Sequence, residues 1–203
     1  SDLLVITYTE RAAAELRDRT RQLIGSAAQK MTVGTFHAFC YRLVKEFSGV
    51  TPPPRLLDES EAVYLLLENF DSLGTFHSTE FALNPEKAVV KSFLPFFSRC
   101  RDELIVPSKS PDPDPDTTEP EIVNQIEDLR RVYEHYQRMK AEINVVDYGD
   151  MILKAHQILA GDQDALATAR EQFRHIVVDE FQDNNFALNE IVRLLAGEQQ
   201  SVP

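Results

Sequence analysis

Two adjacent carboxylates, Asp179 and Glu180, directly follow the short apolar segment 176–178. The brevity and β-branched residues of this segment predict a buried strand. In an open α/β sheet, ligands bind beyond the carboxyl ends of the strands, so the two acids would lie where a nucleotide binds. One carboxylate can hold Mg²⁺, and its neighbour can orient and deprotonate an attacking water. The alternative is that the acids only begin a helix, whose N-terminus favours negative charge.

The elements that would position these acids form an α/β layer at each end of the chain. A buried strand is predicted at 3–6, and Thr9 offers an N-cap to the Ala-rich helix after it. A weaker strand at 31–33 precedes a helix at 36–47. The alternation of strands and helices is typical of the α/β class. Further helices are predicted at 148–159, 164–173 and 185–195.

The middle of the chain has a different, helical character. The Pro-rich segment 51–54 marks a boundary, and Asp58 and Glu61 have the spacing of a capping box. A helix is predicted at 86–104, and the acidic, Pro-rich segment 107–120 is predicted to be a solvated loop. A long helix follows, with an apolar face formed by Val123, Ile126, Leu129, Tyr133, Tyr136, Met139 and Ile143.

These patterns predict an α/β fold with a mostly helical inserted domain. One domain would combine 1–50 with 145–203, and the insertion would occupy 51–144. With 43% hydrophobic residues in 203, the chain can bury a core. It has no apolar run of membrane-spanning length and no signal-peptide pattern. Two distant cysteines indicate neither a disulfide framework nor a metal site, so we expect a cytoplasmic location.

The charge of the chain is unevenly distributed. The net charge is −12, which by itself argues against a nucleic-acid partner, but residues 8–50 carry seven Lys/Arg and four Asp/Glu. A locally basic surface on an acidic protein can still bind phosphates. The alternative is that these charges are ordinary solvated residues on helix faces.

Four segments, in this order, resemble motifs of superfamily 1 DNA helicases of the UvrD/Rep/PcrA type. Residues 7–16 resemble motif Ia (TFTNKAAxEM), and 34–38 resemble motif Ib (GTFHS). Residues 146–152 resemble the DFDDLI segment, and 179–183 resemble motif II, the Walker B motif DE[FY]QD. The resemblance implies part of a RecA-like P-loop NTPase domain with a helical insertion. It also implies ATP-dependent, 3′-to-5′ movement on single-stranded DNA and unwinding of duplex DNA.

The resemblance assigns roles in the ATP site to four residues. Asp179 would hold Mg²⁺ together with Glu180, and Glu180 would be the catalytic base. Gln182 would sense the γ-phosphate of ATP and report it towards the DNA, and Asp183 would anchor that network. ATP and Mg²⁺ are therefore the expected cofactors.

The resemblance also implies a track for DNA. Tyr8 would stack on a base, which suits a motor that accepts any sequence. Thr35 and His37 would contact the DNA backbone with hydroxyl and imidazole groups. Alternatives remain, since Tyr8 could be a buried tyrosine, His37 a cap or core residue, and the arginines solvated. The full set implied to contact DNA is Tyr8, Arg11, Thr35, Phe36, His37 and Arg42.

The chain departs from the helicase pattern in several places. Glu10 stands where Asn is usual, which puts an acid near the expected DNA, Ala38 replaces Ser, and Asn184 replaces a common Thr. The phosphate-loop pattern GxxxxGK[ST] does not occur in the 203 residues. We therefore expect the phosphate loop before residue 1 and the later motifs after residue 203, so that the chain alone would be inactive.

Other functions are compatible with the same motifs. The motor could belong to a helicase–nuclease of the RecB/AddA kind, which a nuclease motif elsewhere would reveal. A third interpretation is a degenerate module that hydrolyses no nucleotide and only binds partners. The expected partners of a helicase are single-stranded and duplex DNA and ATP, with DNA-repair or recombination proteins as further candidates and no membrane.

Overall fold

A computed structural model of the chain describes residues 3–114 and 118–197, which fall into two compact units. The unit that we call the sheet unit comprises Ser1–Pro53 and Met151–Pro203. The helical unit comprises Pro54–Asp150. Part of the predicted solvated loop, residues 115–117, lies outside the described residues.

The chain contains short strands and many helices. The strands, in chain order, are β1 (Leu3–Thr7), β2 (Met31–Thr35), β3 (Arg55–Leu56), β4 (Val145–Val146) and β5 (His175–Val178). The α-helices are α1 (Glu10–Ile24), α2 (Phe36–Phe47), α3 (Glu59–Glu68), α4 (Thr79–Leu83), α5 (Pro85–Ala88), α6 (Leu94–Asp102), α7 (Pro120–Glu142), α8 (Tyr148–Gly161), α9 (Gln163–Gln172) and α10 (Phe186–Ala196). This composition confirms the predicted α/β class.

The sheet unit is built on three parallel strands in the order β2-β1-β5. The central strand β1 is buried, as the sequence predicts. The strand at 176–178 is also confirmed, but the prediction that it is buried is wrong, because its residues alternate between exposed and half-buried and Val177 is 52% exposed. The physical reason is its position, since among the described strands β5 pairs with β1 alone and forms an edge.

Side-chain caps fix where the helices of the sheet unit begin. The predicted N-cap Thr9 accepts a hydrogen bond from the Ala12 amide over 3.1 Å. Asn185 caps α10 in the same way, through the Leu188 amide at 2.9 Å. Such caps satisfy amides that have no partner within the helix. Between α2 and the end of α9, the rings of Phe39 and Phe173 meet edge to face with centroids 5.5 Å apart.

The helical unit has an aromatic core. Phe93, Phe97 and Tyr136 are fully buried, and the Phe97 and Tyr136 rings stack with centroids 5.3 Å apart. The predicted helix at 86–104 is present as α5 and α6, joined by a π-helical segment, Val89–Phe93. The predicted capping box at the start of α3 is confirmed, since the Asp58 and Glu61 carboxylates each accept the other's amide.

Three features of the helical unit differ from the sequence prediction. Residues 145–150 lie in this unit, and a two-residue parallel ladder joins β3 to β4. The start of the predicted solvated loop is tethered, because Arg130 donates to the Asp112 carboxylate and to the Pro111 carbonyl, each over 2.6 Å. At the far end of α7, Ile143 is exposed rather than part of the apolar face.

A network of buried charges also lies within the helical unit. The Arg101 guanidinium donates to both Asp147 oxygens, over 2.7 and 2.8 Å, and to Asp150 over 3.2 Å. Lys140 donates to Asp147 over 2.9 Å and also to Asp150, and the Tyr136 hydroxyl donates to Asp147 over 3.0 Å. Two cations thus balance two carboxylates, and we call these five residues the buried charge network.

The network changes the acidity of its members. Burial alone would raise the pKa of Asp147, but the charges of Lys140 and Arg101 hold that pKa well below its ordinary value. Gly149 packs against Arg101, and a Cβ at this position would lie 2.8 Å from the Arg101 Cζ. A side chain at position 149 would therefore require the Arg101 side chain to move.

Of the helices in the two described ranges, none combines the length and apolar character that crossing a membrane requires.

Candidate nucleotide and DNA site

The three strands of the sheet unit end together at one edge. Thr7, the last residue of β1, pairs with Thr35, the last residue of β2. Ile6 pairs with Val178, the last residue of β5. Because all three strands are parallel, the residues that directly follow them lie at the same carboxyl edge of the sheet. The segments that resemble motifs Ia, Ib and II are thus brought together from three distant parts of the sequence.

The chain turns sharply after β5. Glu180 has φ 52° and ψ 43°, a left-handed conformation that costs a non-glycine residue of order 1–3 kcal/mol and is concentrated at functional sites. A short 3₁₀ turn, Phe181–Asp183, follows, and the Asp183 amide donates to the Glu180 carbonyl over 2.9 Å. The Gln182 side-chain amide donates to the Glu180 carboxylate. The turn therefore brings the predicted base and the predicted sensor into direct contact.

The donors at this turn are suited to a hard cation. The Asp179 and Glu180 side chains are adjacent and exposed, and both offer carboxylate oxygens. Within the described ranges, the structure holds no group of three or more His, Cys, Asp or Glu side chains arranged to bind a metal. Mg²⁺ is commonly held by one or two carboxylates, with waters and substrate phosphates completing its shell. The residues present fit that mode of binding.

The residues predicted to contact DNA differ in how exposed their side chains are. Tyr8 is 54% exposed beside the end of β1, so the alternative of a buried tyrosine does not hold. Arg11 is exposed on the first turn of α1, and His37 is half-buried at the start of α2. Phe36 is 2% exposed and fills the core, which argues against the predicted contact of its side chain with DNA.

Two other predicted DNA contacts are engaged within the protein. Arg42 lies over the Phe173 ring, with its guanidinium carbon 5.4 Å from the ring centroid, and its Nε is 3.8 Å from the Glu46 carboxylate. These contacts give Arg42 a packing role of its own. Thr35 is 6% exposed and serves as the N-cap of α2, where its Oγ1 accepts the Ala38 amide over 3.2 Å.

The Thr35 hydroxyl has a second partner that the sequence did not predict. It donates to Oε1 of Glu10 over 3.0 Å. Glu10 is the first residue of α1, and its side chain is exposed. The signal in the sequence was the replacement of the usual Asn by Glu10, but only the pairing of β1 with β2 shows that this carboxylate reaches Thr35.

The chain is similar to known proteins over nearly its whole length. The family model of the UvrD/REP helicase N-terminal domain matches residues 1–202, and the chain belongs to this family. This result confirms the resemblance inferred from the motifs. The chain is 30% identical over 207 residues to ATP-dependent DNA helicase UvrD1 of Mycobacterium tuberculosis, covering 98% of this chain and 25% of the relative.

A second group of relatives carries the name DNA helicase II. The Escherichia coli protein is 28% identical over 204 residues, covering 98% of this chain and 26% of the relative. The Salmonella typhimurium protein matches with the same identity and coverage. The chain therefore spans about a quarter of the length of the curated relatives that it matches.

Proposed function

We propose that this chain is part of the ATP-hydrolysing motor of a DNA helicase that moves 3′-to-5′ along single-stranded DNA and unwinds duplex DNA. The observation that supports this proposal most directly is the meeting of three motif segments at one carboxyl edge, after β1, β2 and β5. In this proposal the sheet unit is part of a RecA-like domain, and the helical unit is its insertion.

The turn after β5 would carry the ATP chemistry. Asp179 would hold Mg²⁺, and the Glu180 carboxylate would accept a proton from the attacking water. The Gln182 amide donates to the Glu180 carboxylate. A change in the protonation or position of that carboxylate would therefore be passed to the rest of the turn through Gln182. Asp183 closes the turn through its amide. Bound ATP and Mg²⁺ would supply the bond to be broken and the neutralisation of phosphate charge.

The ends of β1 and β2 would carry the DNA contacts. Tyr8 offers an exposed ring for stacking, which is independent of base sequence, and Arg11 and His37 offer donors for phosphate oxygens. The proposed contact therefore rests on Tyr8, Arg11 and His37, with Thr35 available only if its bond to Glu10 opens.

The test of the proposal is the substitution Glu180→Gln in a full-length helicase that contains this segment. Glutamine keeps the size and hydrogen-bonding capacity of the side chain but removes the base. We expect DNA-stimulated ATP hydrolysis to fall about 10²–10⁴-fold, the range for losing general-base catalysis, while nucleotide affinity stays nearly unchanged. Unwinding should fall in step with hydrolysis.

The same preparations distinguish a catalytic role from a structural one. If Glu180 only begins a helical turn, the substitution should cost about 0.5–2 kcal/mol of stability and leave turnover per folded molecule intact. Near-normal turnover, measured beside the thermal midpoint, would overturn the catalytic assignment. A wild-type protein without any nucleotide turnover would instead favour a module that only binds partners.

A further inference from the structure

The Glu10–Thr35 hydrogen bond lies at the start of two neighbouring helices. Glu10 is the first residue of α1, and Thr35 caps the N-terminus of α2. The strands that precede them are paired in register, with Thr7 opposite Thr35, so the two helices begin side by side. Helix N-termini attract anions through their free amides and dipoles. In this structure the Glu10 carboxylate is the anion there, with its Oε1 3.0 Å from the Thr35 Oγ1.

A DNA phosphate would need the same contacts. A hydroxyl has one hydrogen to donate, and Thr35 gives it to Glu10 while its oxygen accepts the Ala38 amide. A phosphate oxygen can therefore accept a hydrogen bond from Thr35 only if the bond between Thr35 and Glu10 breaks. The Glu10 carboxylate would also repel a phosphate at this distance.

We propose that Glu10 is an internal competitor of the DNA strand, which lowers the affinity of this edge of the sheet for single-stranded DNA by holding the Thr35 hydroxyl and supplying a negative charge beside it. This inference rests on the proposed function, in which a strand passes Tyr8 and the start of α2. Glu10 thereby sets how tightly this edge holds the strand without contributing a favourable contact to it.

The test is the binding of fluorescently labelled oligothymidine to the 203-residue chain at low salt, followed by fluorescence anisotropy. Glu10→Ala removes both the charge and the acceptor, whereas Glu10→Gln removes the charge and keeps an acceptor for Thr35. We expect Glu10→Ala to lower Kd about threefold to tenfold, which is the size of one modest polar interaction, and Glu10→Gln to lower it less. The difference from wild type should shrink as salt screens the repulsion.

The matched control is Glu15→Ala on the same helix. Glu15 is exposed, lies beyond the first turn of α1 and pairs with Arg19 at 3.6 Å, so the substitution changes the net charge equally without touching Thr35. Its Kd should stay within about twofold of wild type, as expected for a solvated charge away from the contact. An equal gain from Glu10→Ala and Glu15→Ala would mean that net charge alone matters, and the proposal would be wrong.

Tyr8→Ala separates this inference from the proposed function. If Tyr8→Ala weakens binding but Glu10→Ala does not strengthen it, the inference fails and the proposed function stands. A lowered thermal midpoint of Glu10→Ala would then show that Glu10 is a structural residue. If Tyr8→Ala also has no effect, the proposed DNA surface fails, and the inference fails with it. A gain in Glu10→Ala that is reversed by adding Tyr8→Ala supports both.

Discussion

The backbone amide of Asp179 donates to the carbonyl of Ile6 over 2.8 Å, one residue beyond the last pair of the β1–β5 ladder. Ile6 is fully buried in the central strand. The first acid of the turn is thus fixed to the most buried strand of the sheet, whereas the next residue, Glu180, turns into a left-handed conformation. This arrangement gives the two adjacent carboxylates different positions, as their different proposed roles require.

Asp179→Asn should change how the motor depends on magnesium. Asparagine keeps the shape of the side chain but lacks the negative charge that a hard cation prefers. In a full-length helicase that contains this segment, we expect the Mg²⁺ concentration for half-maximal ATP hydrolysis to rise about tenfold or more, which corresponds to about 1.4 kcal/mol of lost binding. Asp164→Asn, on the exposed start of α9, is the matched control. An unchanged Mg²⁺ requirement in Asp179→Asn would contradict the assignment.

The isolated 203-residue chain should hydrolyse no measurable ATP, with or without DNA. A motor of this kind needs a phosphate loop for the β- and γ-phosphates, and that sequence pattern does not occur in the chain. Phosphate release from the purified chain is the measurement. Steady turnover that disappears in Glu180→Gln, prepared and assayed in parallel, would show that the chain is active by itself.

Lys140→Met should strongly destabilise the protein. Lys140 is 1% exposed, and its loss leaves Asp147 and Asp150 with Arg101 as their one remaining cation in the buried charge network. Removing one partner of a buried ion pair typically costs about 3–5 kcal/mol. Urea unfolding of the chain measures this, and Lys91→Met, an exposed lysine of the same unit, should stay within about 0.5 kcal/mol of wild type. A loss below about 1 kcal/mol for Lys140→Met would contradict a coupled network.

Acid should weaken the helical unit through Asp147. Its pKa in the folded protein lies below the ordinary value of 3.8. As the pH falls, Asp147 of the unfolded chain therefore binds a proton at a higher pH than Asp147 of the folded protein does. The stabilisation is fully present above the ordinary pKa and is lost as the pH falls from there through the lowered pKa. Thermal midpoints measured down from pH 7 should therefore fall most steeply below about pH 4. Asp147→Asn should be less stable at neutral pH, and its thermal midpoint should fall less steeply with acid. An unchanged slope would show that Asp147 does not cause the acid sensitivity.

Local sequence signals predicted the elements well. Thr9 and the Asp58–Glu61 box each cap the helix that follows them, because capping depends on residues three positions apart. The apolar run of β1 predicted both a strand and its burial. The same reasoning failed for the burial of β5, because whether a strand is central or at an edge depends on its neighbours in the sheet.

Contacts between distant residues could not be predicted in this way. Asp128 and Lys140 are not among the residues of the apolar face predicted for α7, yet both are buried. Asp128 accepts the amides of His77 and Ser78, fifty residues or more away. In the candidate site, the sequence predicted two carboxylates directly after β5. It did not predict the hydrogen bond between Glu10 and Thr35, because that bond depends on how β1 and β2 pair.

The close packing of Gly149 on Arg101 makes these two positions epistatic. Residues 146–152 resemble the DFDDLI segment, which has aspartate where the chain has Gly149. A side chain at position 149 would collide with the Arg101 guanidinium. An aspartate would also add a third carboxylate to two cations. Replacing Gly149 by aspartate should therefore destabilise the chain less when residue 101 is small than when it is arginine, so that the effects of the two substitutions are not additive.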